Sequence, residues 1–421
     1  MADQELKSGM KRIAHAARMA AQSIADLPTE EKHRLLKSIQ KQLKERQQEI
    51  TGENAKDLES GKQKGLSKAV LDRIRLDGKR IQRICEGIEG IIALPDPLGE
   101  VMEERTLRSG IRLKKVRVPL GVILLIFEAR PNVVIDAFAL CFKSGNVSIL
   151  KGGSDAAHSN VILARIITDA LKDAHITPDA LQLVASRDHE AVDHLLDLEE
   201  DIDLVIPRGG ERLIRNVVKK ARMPVIMHYK GLCHTYIDKD ADIGQAVAIA
   251  LNAKIQRPGV CNAMETLLVH QDIADKVLPL LAAGLKEAGV RIKGDDQVCA
   301  LVKDAEPASE EDWSTEYLDL ILSIRIVRDL DEAIAHINRY GSKHSEAIIS
   351  ENKDAQERFA RMVDASSVFV NCSTRFNDGF EYGLGAEIGI STQKIHARGP
   401  MGLRELTTYK YILSGEGQVR T

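Results

Sequence analysis

Cys261 lies in the run Gln256-Arg257-Pro258-Gly259-Val260-Cys261-Asn262, directly after a stretch of helical apolar periodicity. Pro258 and Gly259 break that helix and put the cysteine on a loop or at the start of an element. A thiol there can be exposed, and neighbouring backbone N–H groups can lower its pKa, which are the conditions for a nucleophile. The alternative is a buried small hydrophobe, the usual fate of a free cysteine. That alternative is favoured for Cys85, Cys141 and Cys299, the first two within apolar helical runs. Cys233, beside His234, is a weaker rival nucleophile, because neighbours in sequence need not face one another.

Four further stretches carry possible chemistry. Lys151-Gly152-Gly153-Ser154 closes a predicted strand and opens a helix, where glycines admit a ligand to the backbone and the helix N-terminus favours phosphate. Pro207-Arg208-Gly209-Gly210 stands in the same position after another strand. Two such turns on one parallel sheet suggest a dinucleotide or phosphate site, although glycine can serve geometry alone. No GxGxxG fingerprint is present, which disfavours an ordinary Rossmann dehydrogenase. Phe127-Glu128-Ala129-Arg130-Pro131-Asn132 also follows a strand and reads equally as a crevice or a solvated turn. Gly399-Pro400-Met401-Gly402-Leu403-Arg404-Glu405-Leu406 could line a pocket or merely connect.

The elements that must position these residues follow from periodicity. Residues 1–93 are helical in pattern, beginning with an amphipathic, Ala-rich N-terminal helix. The texture changes near 105, with a hairpin expected near 104–117 and a buried strand near 121–129. Strands are expected at 147–151, 181–185, 204–207 and 225–229, with helices at 134–144, 158–174, 189–198 and 210–221. Beyond 235 a second alternation begins. Helices are expected at 242–256, 272–288, 329–340 and 354–364, and strands near 265–270, 317–327, 345–349 and 366–371. Residues 373–402 read as a Gly-rich irregular stretch, and the C-terminal run as an edge strand. Such alternation implies α/β architecture with parallel sheets covered on both faces.

Composition narrows the function classes. The chain has 421 residues, enough for two to four domains, with 44% hydrophobic and 29% charged residues. Fifty-nine basic against 62 acidic residues give a formal net charge of -3, which leaves no electrostatic footprint for nucleic acid or an anionic membrane. Aromatic residues at 4% argue against stacking platforms for single strands. No apolar run is long enough for a membrane span, and the N-terminus lacks the apolar core of a signal peptide. Six scattered cysteines without a CxxC pair argue against disulfides and structural zinc and fit a reducing cytoplasm.

Five stretches, VPLGVILLIFEARPNVVIDA, ILKGGSDAAHSN, VIPRGGERLI, IQRPGVCNAMETLLVH and EIGISTQKIHARGPMGLRELTTYKY, stand in an order that resembles the aldehyde dehydrogenase superfamily from about residue 10 to 415. The resemblance implies a nucleotide-binding domain over 1–103 and 118–232 and a catalytic domain over 233–398. It also implies a small β oligomerisation element from 104–117 and 399–421, hence a homo-oligomer. Cys261 matches the catalytic thiol, and Asn132 the asparagine that helps form the oxyanion hole. Lys151 matches the lysine at the adenosine ribose, and Arg208-Gly209-Gly210 the turn beside the cofactor phosphates. Glu316 falls where many members carry a glutamate on the nicotinamide ribose, though the usual following Gly-Pro is absent.

Two departures refine what the resemblance implies. The glutamate that activates water in hydrolytic members is replaced by His228, 33 residues before Cys261. An acyl-phosphate reductase must keep water from its thioester, so losing that base makes chemical sense. The glutamate that reads a ribose 2′-hydroxyl is replaced by Ser154, which leaves Lys151 to meet a 2′-phosphate and favours NADPH. The implied reaction is NADPH-dependent reduction of L-glutamyl 5-phosphate to glutamate 5-semialdehyde, the second step of proline biosynthesis, with handover from glutamate 5-kinase. No metal is implied. Arg130, Lys394, His396 and Arg398 are candidate partners for the substrate's anionic groups and Glu387 for its ammonium; the surface-charge reading is favoured for each. Two rivals remain: an NAD-linked enzyme oxidising aldehydes to acids, which needs a carboxylate near 228, and a non-catalytic nucleotide-binding protein.

Overall fold

A computed structural model describes every residue except Met1, Arg187 and Thr421. Five helices open the chain: α1 (Ala2–Ala25), α2 (Thr29–Glu45), α3 (Gln47–Gln63), α4 (Lys68–Ile74) and α5 (Gly78–Ala93). α1, α2 and α5 each bury an apolar stripe, such as Leu35, Leu36, Ile39 and Leu43 of α2, whereas α3 buries Asn54 and Asp57 beside Ile50. Asp77 caps α5 by accepting from Arg80 N.

The strands follow. β1 (Val101–Thr106) and β2 (Arg112–Pro119) form the expected hairpin, turned at Gly110 with φ +83. Then come β3 (Val122–Phe127), α6 (Val133–Lys143), β4 (Val147–Gly152), α7 (Ala157–Asp173), β5 (Leu181–Leu183), α8 (Glu190–Leu196), β6 (Leu204–Arg208) and α9 (Glu211–Lys220). The sheet is parallel in the order β5-β4-β3-β6. All six residues of β3 are buried, as a strand covered on both faces requires. Chain order runs one way from β3 through β4 to β5 and then jumps to β6 on the other side of β3. That reversal opens a crevice past the carboxyl ends of β3 and β6.

A strand expected at 225–229 is not formed. Val225 makes only an isolated bridge to Val205. Val205 N donates to Pro224 O and Ile226 N to Val205 O, and the pairing stops there. The next bond of a parallel ladder would be donated by residue 207, and Pro207 has no N–H to give.

The chain divides into two compact units, one of Met1–Met227, Gly383–Gly389 and Met401–Thr421, the other of His228–Tyr382 and Ile390–Pro400. The second unit contains β7 (Cys233–Ile237), α10 (Ile243–Ile255), β8 (Met264–His270), α11 (Gln271–Glu287), β9 (Arg291–Gly294), α12 (Asp296–Leu301) and β10 (Glu306–Pro307). It continues with β11 (Ile321–Val327), α13 (Leu330–Tyr340), β12 (Ser345–Ile349), α14 (Lys353–Met362), β13 (Ser367–Val370) and the short pair β14 (Ile390–Ser391) and β15 (Gly399–Pro400). Its sheet is parallel throughout, in the order β10-β9-β11-β8-β7-β12-β13. One face buries Leu267, Val277, Leu281 and Leu322, the other Tyr236, Leu268, Ile348 and Phe359.

β7, β9, α12 and β10 were not foreseen from sequence; they are short, and their apolar residues lack a long enough period to read. β11 starts at Ile321 rather than 317, because Leu318 takes φ +54 and its N–H is held by the Glu265 carboxylate at 3.0 Å. The last strand, β16 (Thr407–Ser414), pairs antiparallel with β2 from Thr407↔Pro119 to Ser414↔Arg112. It completes a small sheet, β1-β2-β16, in the first unit.

Candidate active site

In the first unit, the expected turns sit at the carboxyl edge of the four-stranded sheet. Lys151 is the penultimate residue of β4, buried to 8%, and lines a cleft with Gly152, Gly153, Ser154, Asn160 and Ser186. Among the described residues its ammonium makes one hydrogen bond, to Gly152 O at 3.3 Å. Burial lowers its pKa, and the charge of Asp188 opposes that only in part. Asp155 turns to Lys64 instead, at 3.7 Å. The ammonium is thus buried, with two donors to spare among the described residues, beside an exposed Ser154.

The two helix N-termini expected to favour phosphate are met by the protein's own carboxylates. Asp57 of α3 accepts from the N–H groups of His158 and Ser159 at 3.1 and 2.8 Å, at the start of α7. Glu128, just past β3, accepts from Gly210 N at 3.0 Å, at the start of α9. Gly209 belongs to the same arrangement, since a Cβ there would strike the Glu128 carboxylate. The Arg208 guanidinium packs on Gly389, where a Cβ would come within 3.0 Å of it.

Asn132 stands at the start of α6 and donates its side-chain N–H to Asp136 at 2.8 Å. Burial pushes the Asp136 carboxyl up to about 6, against the pull of the Asn132 bond and the Arg208 charge. Arg130 is exposed on the turn that Ala129 makes at φ +43. Glu387 is half-buried in a segment tied down by Ile388 N to Met401 O and Met401 N to Gly389 O.

In the second unit, chemistry gathers at the opposite, amino edge of the sheet. Cys261 is half-buried on the loop before β8, as its Pro-Gly context predicts. The loop is pinned on both sides. Asn262 donates to Asn377 O at 2.9 Å, and its carbonyl accepts from the Thr374 hydroxyl at 2.7 Å. Beneath the loop, Lys254 and Glu265, both within 1% of full burial, pair at 2.7 Å and tie the end of α10 to the start of β8. Burial pushes the Glu265 carboxyl up to about 7 and the Lys254 ammonium down.

The strap before β7 runs against the nucleophile. A Cβ at Gly231 would overlap the Cys261 carbonyl and Cα, so only glycine fits there. Gly231 N donates to Glu316 at 2.8 Å, which brings Glu316 to the Cys261 loop. His228, on the same strap, donates through Nδ1 to Ile390 O at 2.9 Å. His228, Cys261 and His344 place one donor atom each within 4.8 Å of one another. Cys233 is the poorer nucleophile: it is fully buried, burial pushes its thiol well up, and its Sγ donates to Cys261 O at 3.1 Å.

Lys394 and Arg398 are drawn to one carboxylate. Asp364 meets them at 2.9 and 2.8 Å and Lys343 at 3.0 Å. Burial opposes ionisation of Asp364, but these three cations outweigh it and hold the carboxyl well below the usual range. His396 is exposed on the same loop.

Sequence reasoning missed His344, Lys254, Glu265, Asp57 and Glu128 as parts of the two sites. They reach their partners across strands or from other elements, so spacing carries no signal. Asp136 was legible in principle, because it sits four residues after Asn132 on one helix.

Residues 3–316 match the aldehyde dehydrogenase family model. A gamma-glutamyl phosphate reductase from Moorella thermoacetica is 53% identical over 404 residues, 96% of this chain and 97% of the relative. One from Dictyoglomus thermophilum is 51% identical over 94% of this chain and 95% of its own. The crystal structure of gamma-glutamyl phosphate reductase from Thermotoga maritima superposes with a TM-score of 0.95 at 44% identity, covering 98% of this chain and all of that one.

Proposed function

The chain belongs to the aldehyde dehydrogenase family and is an oxidoreductase of it, and from that premise we propose that it reduces L-glutamyl 5-phosphate to L-glutamate 5-semialdehyde and phosphate with NADPH. The observation that carries this reading is the make-up of the group at Cys261. Two imidazoles, His228 and His344, group with its thiol within 4.8 Å, and among the described residues no carboxylate joins that group. An enzyme that releases free acids needs that base; one that passes an acyl group to hydride is served by its loss. The names of relatives about half identical over nearly the whole chain point to the same substrate.

Cys261, as thiolate, attacks the acyl carbon of the mixed anhydride. The C–O bond to phosphate breaks, phosphate departs and a thioester forms on Sγ. The Asn132 side chain and the Cys261 backbone N–H are the donors assigned to the tetrahedral oxyanion, and loss of one such donor typically costs ~10²–10³ in rate. Asp136 holds the Asn132 amide in one orientation. When bound, the dinucleotide supplies the hydride that takes the thioester to the aldehyde level. Lys151 and Ser154 are assigned to its 2′-phosphoribose, Arg208, Gly209 and Gly210 to the phosphate region, and Glu316 to the nicotinamide ribose. Lys151's spare donors and the absence of a carboxylate at 154 fit a 2′-phosphate and support NADPH over NADH.

We assign the substrate's charged ends to Arg130, Glu387, Lys394, His396 and Arg398. Residues 104–117 and 399–421 form the oligomerisation element of a homo-oligomer. Support comes from Val101, Met102, Tyr409, Tyr411, Ile412 and Leu413, all exposed on the β1-β2-β16 sheet. The reading places nucleotide binding in 1–103 and 118–232 and acyl chemistry in 233–398, in a reducing cytoplasm, with the unstable acyl phosphate handed over by glutamate 5-kinase.

The test runs the reaction backwards with glutamate 5-semialdehyde and NADP⁺, with and without inorganic phosphate. NADPH formation that requires phosphate and disappears in Cys261→Ser is the expected result. Formation without phosphate would mean that water captures the thioester and that the enzyme makes a free acid.

A further inference from the structure

The side chains at Cys261 fit a second chemistry. One thiol and two imidazoles converge from three places in the fold: the strap before β7, the loop before β8 and the residue before β12. Each imidazole has its Nδ1 engaged by an oxygen. His228 Nδ1 lies 2.9 Å from Ile390 O, and His344 Nδ1 lies 2.8 Å from the Ser345 hydroxyl. A carbonyl can only accept, so neutral His228 carries its proton on Nδ1 and its lone pair on Nε2. Metal-bound histidines are held in this manner, with the other ring nitrogen fixed by a backbone carbonyl or a polar group. One sulfur and two imidazole nitrogens, without a carboxylate, select zinc-like ions over magnesium or calcium. His344 is fully buried, while His228 and Cys261 are half-buried.

We propose that His228, Cys261 and His344 form a binding site for a transition-metal ion of the Zn²⁺ class, occupied in competition with the acyl substrate. Binding exchanges a proton for the metal. The S–H bond breaks, the proton leaves to solvent, a sulfur–metal bond forms, and no electrons are transferred. Typical Zn–S and Zn–N bonds of about 2.3 and 2.0–2.1 Å place tetrahedral ligand atoms roughly 3.5 Å apart, so closure needs about 1 Å of side-chain movement. The thiol held in this way cannot attack a carbonyl. That consequence rests on the reading of Cys261 as the nucleophile; the metal site itself does not.

The test titrates the reduced, full-length protein with Co²⁺ under anaerobic conditions. The expected result is one ion per chain, with four-coordinate ligand-field bands and a thiolate-to-metal charge-transfer band. Cys261→Ser removes the charge-transfer band, and Cys233→Ser keeps it. His228→Ala and His344→Ala each weaken binding by at least ~10-fold, and Zn²⁺ displaces Co²⁺. A charge-transfer band that is absent, survives Cys261→Ser, or is unmoved in both folded histidine variants overturns the site. Stoichiometric binding without inhibition would leave the site standing and remove Cys261 from the mechanism. Absent binding, with activity still dependent on Cys261 and phosphate, would do the reverse.

Discussion

The two units place their chemistry at opposite ends of their parallel sheets. In the first, Lys151 and Arg208 end β4 and β6, and Asn132 lies just past β3; the strand order reverses between β3 and β6. In the second, His228, Cys261, Glu316 and His344 all precede their strands, β7, β8, β11 and β12, and lie at the amino edge. The carboxyl-edge site is built from turns, and its helix N-termini are already met by Asp57 and Glu128, while Lys151 and the Nε of Arg208 keep donors to spare among the described residues. The amino-edge site is built from side chains and a buried ion pair under one loop. Binding needs an adaptable, partly satisfied cradle. Covalent chemistry needs a thiol whose backbone cannot move.

The largest expected effect removes the chemistry and spares the cradle. Cys261→Ser lowers turnover by on the order of 10⁴-fold or more, while NADPH affinity measured by fluorescence titration stays put. A matching loss of NADPH affinity would mean that the two edges do not divide the labour.

Next comes the floor of the amino-edge loop. Lys254→Met strands a buried carboxylate and destabilises by about 3–5 kcal/mol, read from urea unfolding, and activity falls with it. The double change Lys254→Met with Glu265→Leu recovers much of that stability. Equal stability of the single and double variants would show that the pair is not what pins the loop.

At the carboxyl edge the effects are smaller and confined to the cofactor. Lys151→Ala raises KM for NADPH roughly 10- to 100-fold and changes kcat little. Ser154→Glu shifts preference towards NADH in steady-state assays. A Lys151→Ala enzyme with unchanged KM for NADPH would break the assignment of the cleft.

The smallest effect is on stability against pH. The Asp136 carboxyl is pushed by burial to about 6 in the folded protein, against 3.8 for the free group. The folded state therefore holds this proton more tightly. The associated stabilisation is whole below about pH 4 and is lost as pH rises through about 6. Asp136→Asn, which has no proton to lose, flattens that part of the profile. Urea midpoints at pH 4.5 and 7.5 compare the two proteins, and an unchanged difference between these pH values would sink the argument.

Sequence alone was enough to place the turns at the carboxyl edge. Lys151, the Arg208-Gly209-Gly210 turn and Asn132 stand where strand–helix alternation said they would, because each depends only on where a strand ends. The Pro-Gly break likewise put Cys261 on its loop. The strand at 225–229 failed because its pairing stops at Pro207 of the neighbouring strand, which nothing local to 225–229 shows. The helix ends expected to favour phosphate turned out to be met by the protein's own carboxylates, one of which, Asp57, lies about a hundred residues from the N–H groups it caps. The company around Cys261 was beyond reach for the same reason. His344 and Glu316 come from other strands' approaches, and Gly231 is required by a backbone contact across the sheet. Local periodicity determined most of the elements, and five motif stretches the family resemblance; the lateral order of strands, which sequence periodicity does not encode, decided which side chains meet the thiol.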